Sequence, residues 1–132
     1  MLRFGPKDQG VYGLTLFDAQ QGQDYGIDLD SGASNNGCYV QSWKYDAGNP
    51  SPNMRWRFHK QDEGGARGNL WKIQNCASGT YINMTDGNKE WRTQITGWQD
   101  ADSDNLRWYM KFGWVNIGQY QVKTWGYAKP CT

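Results

Sequence analysis

Two stretches decide the reading: Trp43–Phe58, "WKYDAGNPSPNMRWRF", and Trp98–Met110, "WQDADSDNLRWYM". In each, a Trp opens a polar, turn-rich loop, an Asn follows, and Arg-Trp comes two residues after it. Working outward, Ile27 meets Ile82, Asp28 meets Asn83 and Trp43 meets Trp98, each 55 positions on. Asn53 then meets Asn105, and Trp56 meets Trp108, at 52 positions, so the second loop is shorter by three residues. A constant offset broken only inside a loop is the trace of a duplicated structural unit.

The flanks repeat as well. "YGLTLFDAQQG" (Tyr12–Gly22) parallels "GNLWKIQNCASG" (Gly68–Gly79), each a strand followed by a turn. "LRFGPKDQG" at the start parallels "WRFHKQDEGG" (Trp56–Gly65), and "MKFGWVNIGQYQVKTWGY" after Trp108 adds one or two strands in phase. Each unit therefore predicts about four short strands separated by glycine turns. The expected layout is one domain over 1–132, with repeat 1 at about 11–60, repeat 2 at about 66–112, and a partial repeat 3 at about 113–132. Residues 1–10 could complete that third unit in a permuted manner. The alternatives are a lobe cut short, or a second copy that completes it, which would make a homodimer.

Composition agrees with an all-β class. The chain has 132 residues, 17 of them Gly, and eight Trp, eight Tyr and four Phe stand in for scarce aliphatics. Aromatics must supply much of the core or of a binding surface. The net charge is +1 and no Lys/Arg cluster stands out, which argues against nucleic acid and against a polybasic membrane contact. No apolar run approaches the roughly 20 residues of a membrane span. The first ten residues lack a signal peptide's apolar middle, so the expectation is a cytoplasmic chain, or a secreted one seen in mature form. Three Cys, at 38, 76 and 131, leave at least one thiol free or paired between chains. Reduced, buried thiols are expected, with Cys76–Cys131 as the bridge if there is one.

The duplicated phrase resembles the ricin-B-type β-trefoil lectins, including their small fungal members. That family repeats a four-stranded unit three times, each with an Asp early, an aromatic midway and an Asn before Gln-x-Trp. The matching residues are Asp28, Gln41, Trp43, Asn53 and Trp56 in the first unit, and Asn83, Trp98, Asn105 and Trp108 in the second. The sequence departs from the pattern at Met54 and Leu106, which stand in place of the Gln, and at Asn83, which stands in place of the Asp. The resemblance implies an all-β, β-trefoil fold with an incomplete third repeat. It also implies binding of galactose- or N-acetylhexosamine-type glycans, carried on glycoproteins or glycolipids, and Trp56 and Trp108 as core plugs.

The residue types suit that ligand. A pyranose has an apolar C–H face and a rim of hydroxyls, each both donor and acceptor. Trp43 can be the plate, Asp28 the carboxylate that accepts two hydroxyls, and Asn53 the amide, with Gln41 in support. Asn83, Trp98 and Asn105 form the weaker second set. Asn83 also opens an Asn-x-Thr glycosylation acceptor, "NMT".

Other chemistries fit less well, and no cofactor or metal is expected. "DADSDN" (Asp100–Asn105) starts like a calcium loop, but its sixth position is Asn105 rather than Gly and its twelfth is Lys111 rather than Glu. His59, in a stretch whose alternation predicts a strand, is the single His, so neither a zinc site nor a familiar catalytic triad can be assembled. Asp28 and Asp30 share a strand face but lack a setting that would split their pKa values for glycoside hydrolysis. The rival reading is a β-trefoil protease inhibitor or interaction protein acting through the "GNPSPN" loop (Gly48–Asn53), and an attachment module of a toxin is a third.

Overall fold

A computed structural model describes residues 2–3, 6–18, 23–61, 70–109, 114–115 and 126–127. Among them are twelve strands: β1 (Leu2–Arg3), β2 (Val11–Gly13), β3 (Thr15–Asp18), β4 (Gln23–Leu29), β5 (Cys38–Lys44), β6 (Trp56–Lys60), β7 (Leu70–Asn75), β8 (Tyr81–Met84), β9 (Ile95–Trp98), β10 (Trp108–Tyr109), β11 (Trp114–Val115) and β12 (Gly126–Tyr127). All pairings are antiparallel. No α-helix occurs among the described residues, which carry only short 3-10 turns between strands. The chain is a β-trefoil.

The sheet runs β12-β2-β6-β7-β8-β9-β5-β4-β3, with β10 also on β7, and a separate ladder joins β1 to β11. Leu2 lies opposite Val115 and Arg3 opposite Trp114, so a strand from the start of the chain pairs with one from its last part. The two units meet where β5 borders β9, Cys38 opposite Gly97 and Tyr39 opposite Thr96.

The duplication extends to single atoms. Trp56 Nε1 donates to the Ile27 carbonyl at 2.9 Å, and Trp108 Nε1 donates to the Ile82 carbonyl at 3.0 Å. Each Arg-Trp strand thus locks onto the hairpin of its own unit, and the indole N–H is satisfied inside the protein. Trp56 is fully buried with Leu29, Phe58, Trp71, Ile73 and Ile82, while Trp108 packs half-buried at the edge of that cluster. Alternation along β6 sends Trp56 and Phe58 inward and Arg57 and His59 outward. Aromatic edges meet faces in this core, Tyr12 on Phe58 at 5.7 Å and Phe58 on Trp71 at 6.1 Å. Met54 and Leu106 are buried. The two residues that replace the family's Gln therefore serve as apolar plugs.

The thiols differ from expectation. Cys38 is free, but Cys76 is disulfide-bonded rather than reduced. Cys131 and the proposed Cys76–Cys131 pairing lie outside the described residues, as does most of the stretch assigned to repeat 3.

Candidate functional site

The first unit's hairpin, β4 with β5, sets the site. Asp28 lies opposite Gln41, and Gly26 opposite Trp43. Residues 39, 41 and 43 alternate onto one face of β5, so Gln41 and Trp43 stand on the side of Asp28. Two turns close the rim. One is the 3-10 turn Asp30–Gly32, which enters the left-handed region at Ser31 (φ 55°) and Gly32 (φ 60°). The other is the 3-10 turn Pro52–Met54, started by Pro52 and capped by Ser51, whose Oγ accepts from the Asn53 N–H at 3.3 Å.

Between them is a cleft of about 310 Å³ lined by Asp28, Asp30, Gln41, Trp43, Ser51 and Asn53. All four first-unit residues singled out from the sequence line it. Trp43 is 58% exposed, whereas Asp28 is 5% exposed at the bottom of the hairpin. Asp28 Oδ2 accepts from Gln41 Nε2 at 3.0 Å. Burial pushes the Asp28 carboxyl above its ordinary range and the neighbouring Asp30 charge adds to this, while the Gln41 hydrogen bond acts the other way. A desolvated carboxylate sharing a cleft with an exposed indole is suited to neutral ligands that donate hydroxyl protons.

Asn53 is fixed through its backbone. The buried Asn75 donates from Nδ2 to the Asn53 carbonyl at 2.8 Å, and its Oδ1 accepts from the N–H groups of Ala77 and Ser78 at 3.0 and 3.2 Å. The preceding loop is closed by its own bonds, Gly48 N–H to Asp46 Oδ1 at 2.9 Å, with Pro50 buried. Asp30, Ser31 and Ser51 are the lining residues that sequence reasoning passed over. The available signal was the same 55-position offset, which sets Asp30-Ser31-Gly32 against Thr85-Asp86-Gly87.

The second unit keeps the frame and changes the chemistry. Asn83 lies opposite Thr96, in the places of Asp28 and Gln41. Asn83 is buried and donates from Nδ2 to Thr96 Oγ1 at 3.1 Å. That amide nitrogen is turned inward rather than offered as a glycosylation acceptor at the surface. Trp98 is partly exposed, opposite Tyr81, and Asn105 sits against Gly87 as Asn53 sits against Gly32. The "DADSDN" loop is tied down by protein cations: Arg107 bonds Asp102 and Asp104, and Lys72 bonds Asp100 at 2.8 Å. No group of three or more His, Cys, Asp or Glu that could hold a metal ion occurs among the described residues. His59 is held between Gln9 and Gln74, at 2.9 and 2.7 Å. Among the described residues, no helix is long and apolar enough to cross a membrane.

The architecture and this cleft together define a binding module. A family model described as ricin-type beta-trefoil lectin domain-like matches residues 52–124, more than half of the chain. The chain belongs to that family, and carbohydrate binding is the general activity that membership supports. Among solved structures, the designed threefold symmetric protein ThreeFoil is similar at 19% identity and a TM-score of 0.59, over 83% of this chain and 67% of that one. The Polyporus squamosus lectin bound to the human-type influenza-binding epitope Neu5Acα2-6Galβ1-4GlcNAc is similar at 17% identity and a TM-score of 0.61, over 81% of this chain. The PSL1a–E64 complex gives 17% identity and a TM-score of 0.60 over 92% of this chain. The chain spans 34% and 47% of those last two structures, respectively. At such identities the likeness is one of fold. No curated protein matches the sequence significantly.

Proposed function

We propose that the protein is a lectin for galactose- or N-acetylhexosamine-type glycans, acting through the first-unit cleft without chemistry. The observation that carries this reading is the juxtaposition of an exposed indole, Trp43, and a buried carboxylate, Asp28, on one cleft whose rim includes the Asn53 turn. Trp43 stacks on the apolar face of the sugar. Asp28 accepts from adjacent hydroxyls, Asn53 gives and takes on the rim, and Gln41 holds Asp28 in place. Charge-assisted hydrogen bonds contribute about 1.5–3 kcal/mol each, so a shallow site of this kind corresponds to a dissociation constant on the order of millimolar. Repeated sites on one glycoprotein surface then raise avidity through effective concentration. The disulfide at Cys76 fits work outside a reducing cytosol.

Trp43→Ala is the direct test. Titration with galactose and with N-acetylgalactosamine should show binding to the parent and none to the variant, with the melting temperature unchanged. Undiminished glycan binding by the variant would remove the first-unit site.

A further inference from the structure

We infer that the sugar cleft continues into a second subsite over Tyr39, so that the ligand is a neutral glycan of at least two linked rings. This inference rests on the lectin reading of the first cleft. A neighbouring hollow of about 350 Å³ is lined by Asp30, Ser31, Asn35, Gly37, Cys38 and Tyr39. Asp30 and Ser31 line both hollows, so the left-handed turn they form is a shared wall and not an outer edge.

β5 gives the pair its spacing. Tyr39, Gln41 and Trp43 alternate onto one face, with Tyr39 and Trp43 each 58% exposed. Four residues of strand put these two aromatics about 13 Å apart along β5, wider than the spacing of adjacent linked pyranose rings, so a glycan that reaches both plates carries a further ring between them. Two large aromatics left open on one strand face beside concave surface offer a recognition surface.

The second hollow is already built. Cys38 Sγ donates to the Asp30 carbonyl at 3.0 Å and so fastens the shared wall to β5. Burial pushes the Cys38 thiol up, and the thiol remains a neutral donor. At the hairpin tip, Asn36 Oδ1 accepts from the Gln99 N–H at 2.7 Å, and the Gly37 N–H donates to the Gly97 carbonyl at 2.9 Å. These bonds anchor the tip to the second unit, so little ordering is left for the ligand to impose. The exposed Asp30 lines both hollows. It accepts hydroxyls from either ring and repels a ring that bears a carboxylate, which points to neutral sugars.

Calorimetric titration of two ligand pairs tests this: galactose against lactose, and N-acetylglucosamine against its β1–4 trimer. For the parent protein, at least one oligosaccharide should bind about tenfold more tightly than its monosaccharide, the equivalent of one added charge-assisted hydrogen bond. Tyr39→Ala should erase that gain and leave the monosaccharide constant unchanged, and Asn35→Ala should reduce it in part. Equal affinity for both members of both pairs would overturn the subsite, as would a Tyr39→Ala variant that weakens both members alike. Absence of any binding by the parent protein would overturn the first-cleft reading and this inference with it. If Trp43→Ala left every affinity unchanged while Tyr39→Ala still erased the gain, the Trp43 plate alone would fall.

Discussion

Gly32 leaves room for Asn53: a Cβ at Gly32 would stand 2.3 Å from Asn53 Oδ1, and the same holds 55 positions on, where a Cβ at Gly87 would meet Asn105 Oδ1 at 2.6 Å. The carboxamide therefore rests on bare backbone at the rim of the cleft. Gly32→Ala should cost about 1–2 kcal/mol through its left-handed conformation alone. It should also displace the Asn53 side chain and weaken monosaccharide binding. Gly79→Ala is the control, since Gly79 is left-handed as well (φ 75°) but its nearest contact would be 3.8 Å away. Thermal unfolding with sugar titration separates the two. Equal binding by both variants would show that the Asn53 position does not matter.

Asp28 carries opposed demands of stability and binding. Burial raises its carboxyl pKa in the fold. A group raised on folding takes up protons between its unfolded and folded values, so its contribution favours the fold at low pH and is lost as pH rises through the folded value. At neutral pH the ionised Asp28 thus works against folding. Asp28→Asn keeps an acceptor for Gln41 Nε2 and removes the buried charge. The variant should melt at or above the parent temperature at pH 7, while sugar affinity falls by about one to two orders of magnitude. In the parent, binding should begin to weaken on acidification at a pH above the ordinary aspartate range. Differential scanning fluorimetry and titration across pH read both effects. A drop in stability at neutral pH would contradict the assignment.

The sequence carried the repeat, because the offset of the Trp, Asn and Ile positions is set by hairpin and loop lengths that the fold must conserve. Strand content followed from glycine spacing and aromatics. That four first-unit residues line one cleft was legible because Asp28, Gln41 and Trp43 share one hairpin face and Asn53 precedes the Arg-Trp strand. What was not legible depends on turns. Asp30, Ser31 and Ser51 enter the cleft through 3-10 turns, and although the left-handed pair Ser31–Gly32 recurs 55 positions on as Asp86–Gly87, the direction of a turn's side chains does not follow from strand alternation. The inward use of Asn83 depends on its cross-strand partner Thr96, and cross-strand contacts are invisible until register is known. The disulfide at Cys76 was legible only as the alternative to reduced thiols, since an odd cysteine count does not specify pairing.

The two plugs should differ in cost. Trp56 is fully buried and Trp108 half-buried, although each indole reaches the equivalent carbonyl. Trp56→Ala should lose about 3–5 kcal/mol, the range for emptying a core aromatic, and Trp108→Ala about half of that. Chemical denaturation of the two variants checks the order. A larger loss at Trp108 would mean that the second unit, not the first, holds the centre of the core.

Asn75 links the site to the frame. It is 1% exposed and makes three side-chain bonds: one donated to the Asn53 carbonyl and two accepted from the Ala77 and Ser78 N–H groups. The residue thus ties the end of β7, in the second unit, to the turn that presents Asn53 in the first. Asn75→Ala would leave a buried carbonyl and two N–H groups without these partners, a loss of about 2–4 kcal/mol at the usual cost of unmade hydrogen bonds. Asn75→Asp is the informative partner variant. It keeps both acceptor bonds to the Ala77–Ser78 turn, loses the donor to Asn53 and sets a buried carboxylate oxygen against the Asn53 carbonyl. If Asn75 positions Asn53, the Asp variant should weaken sugar binding at least as much as the Ala variant, and its melt should lie below the parent's at neutral pH. Thermal melts and galactose titration of the pair would decide it. Full binding by Asn75→Asp would show that Pro52 and the Ser51 cap hold the turn without help from β7.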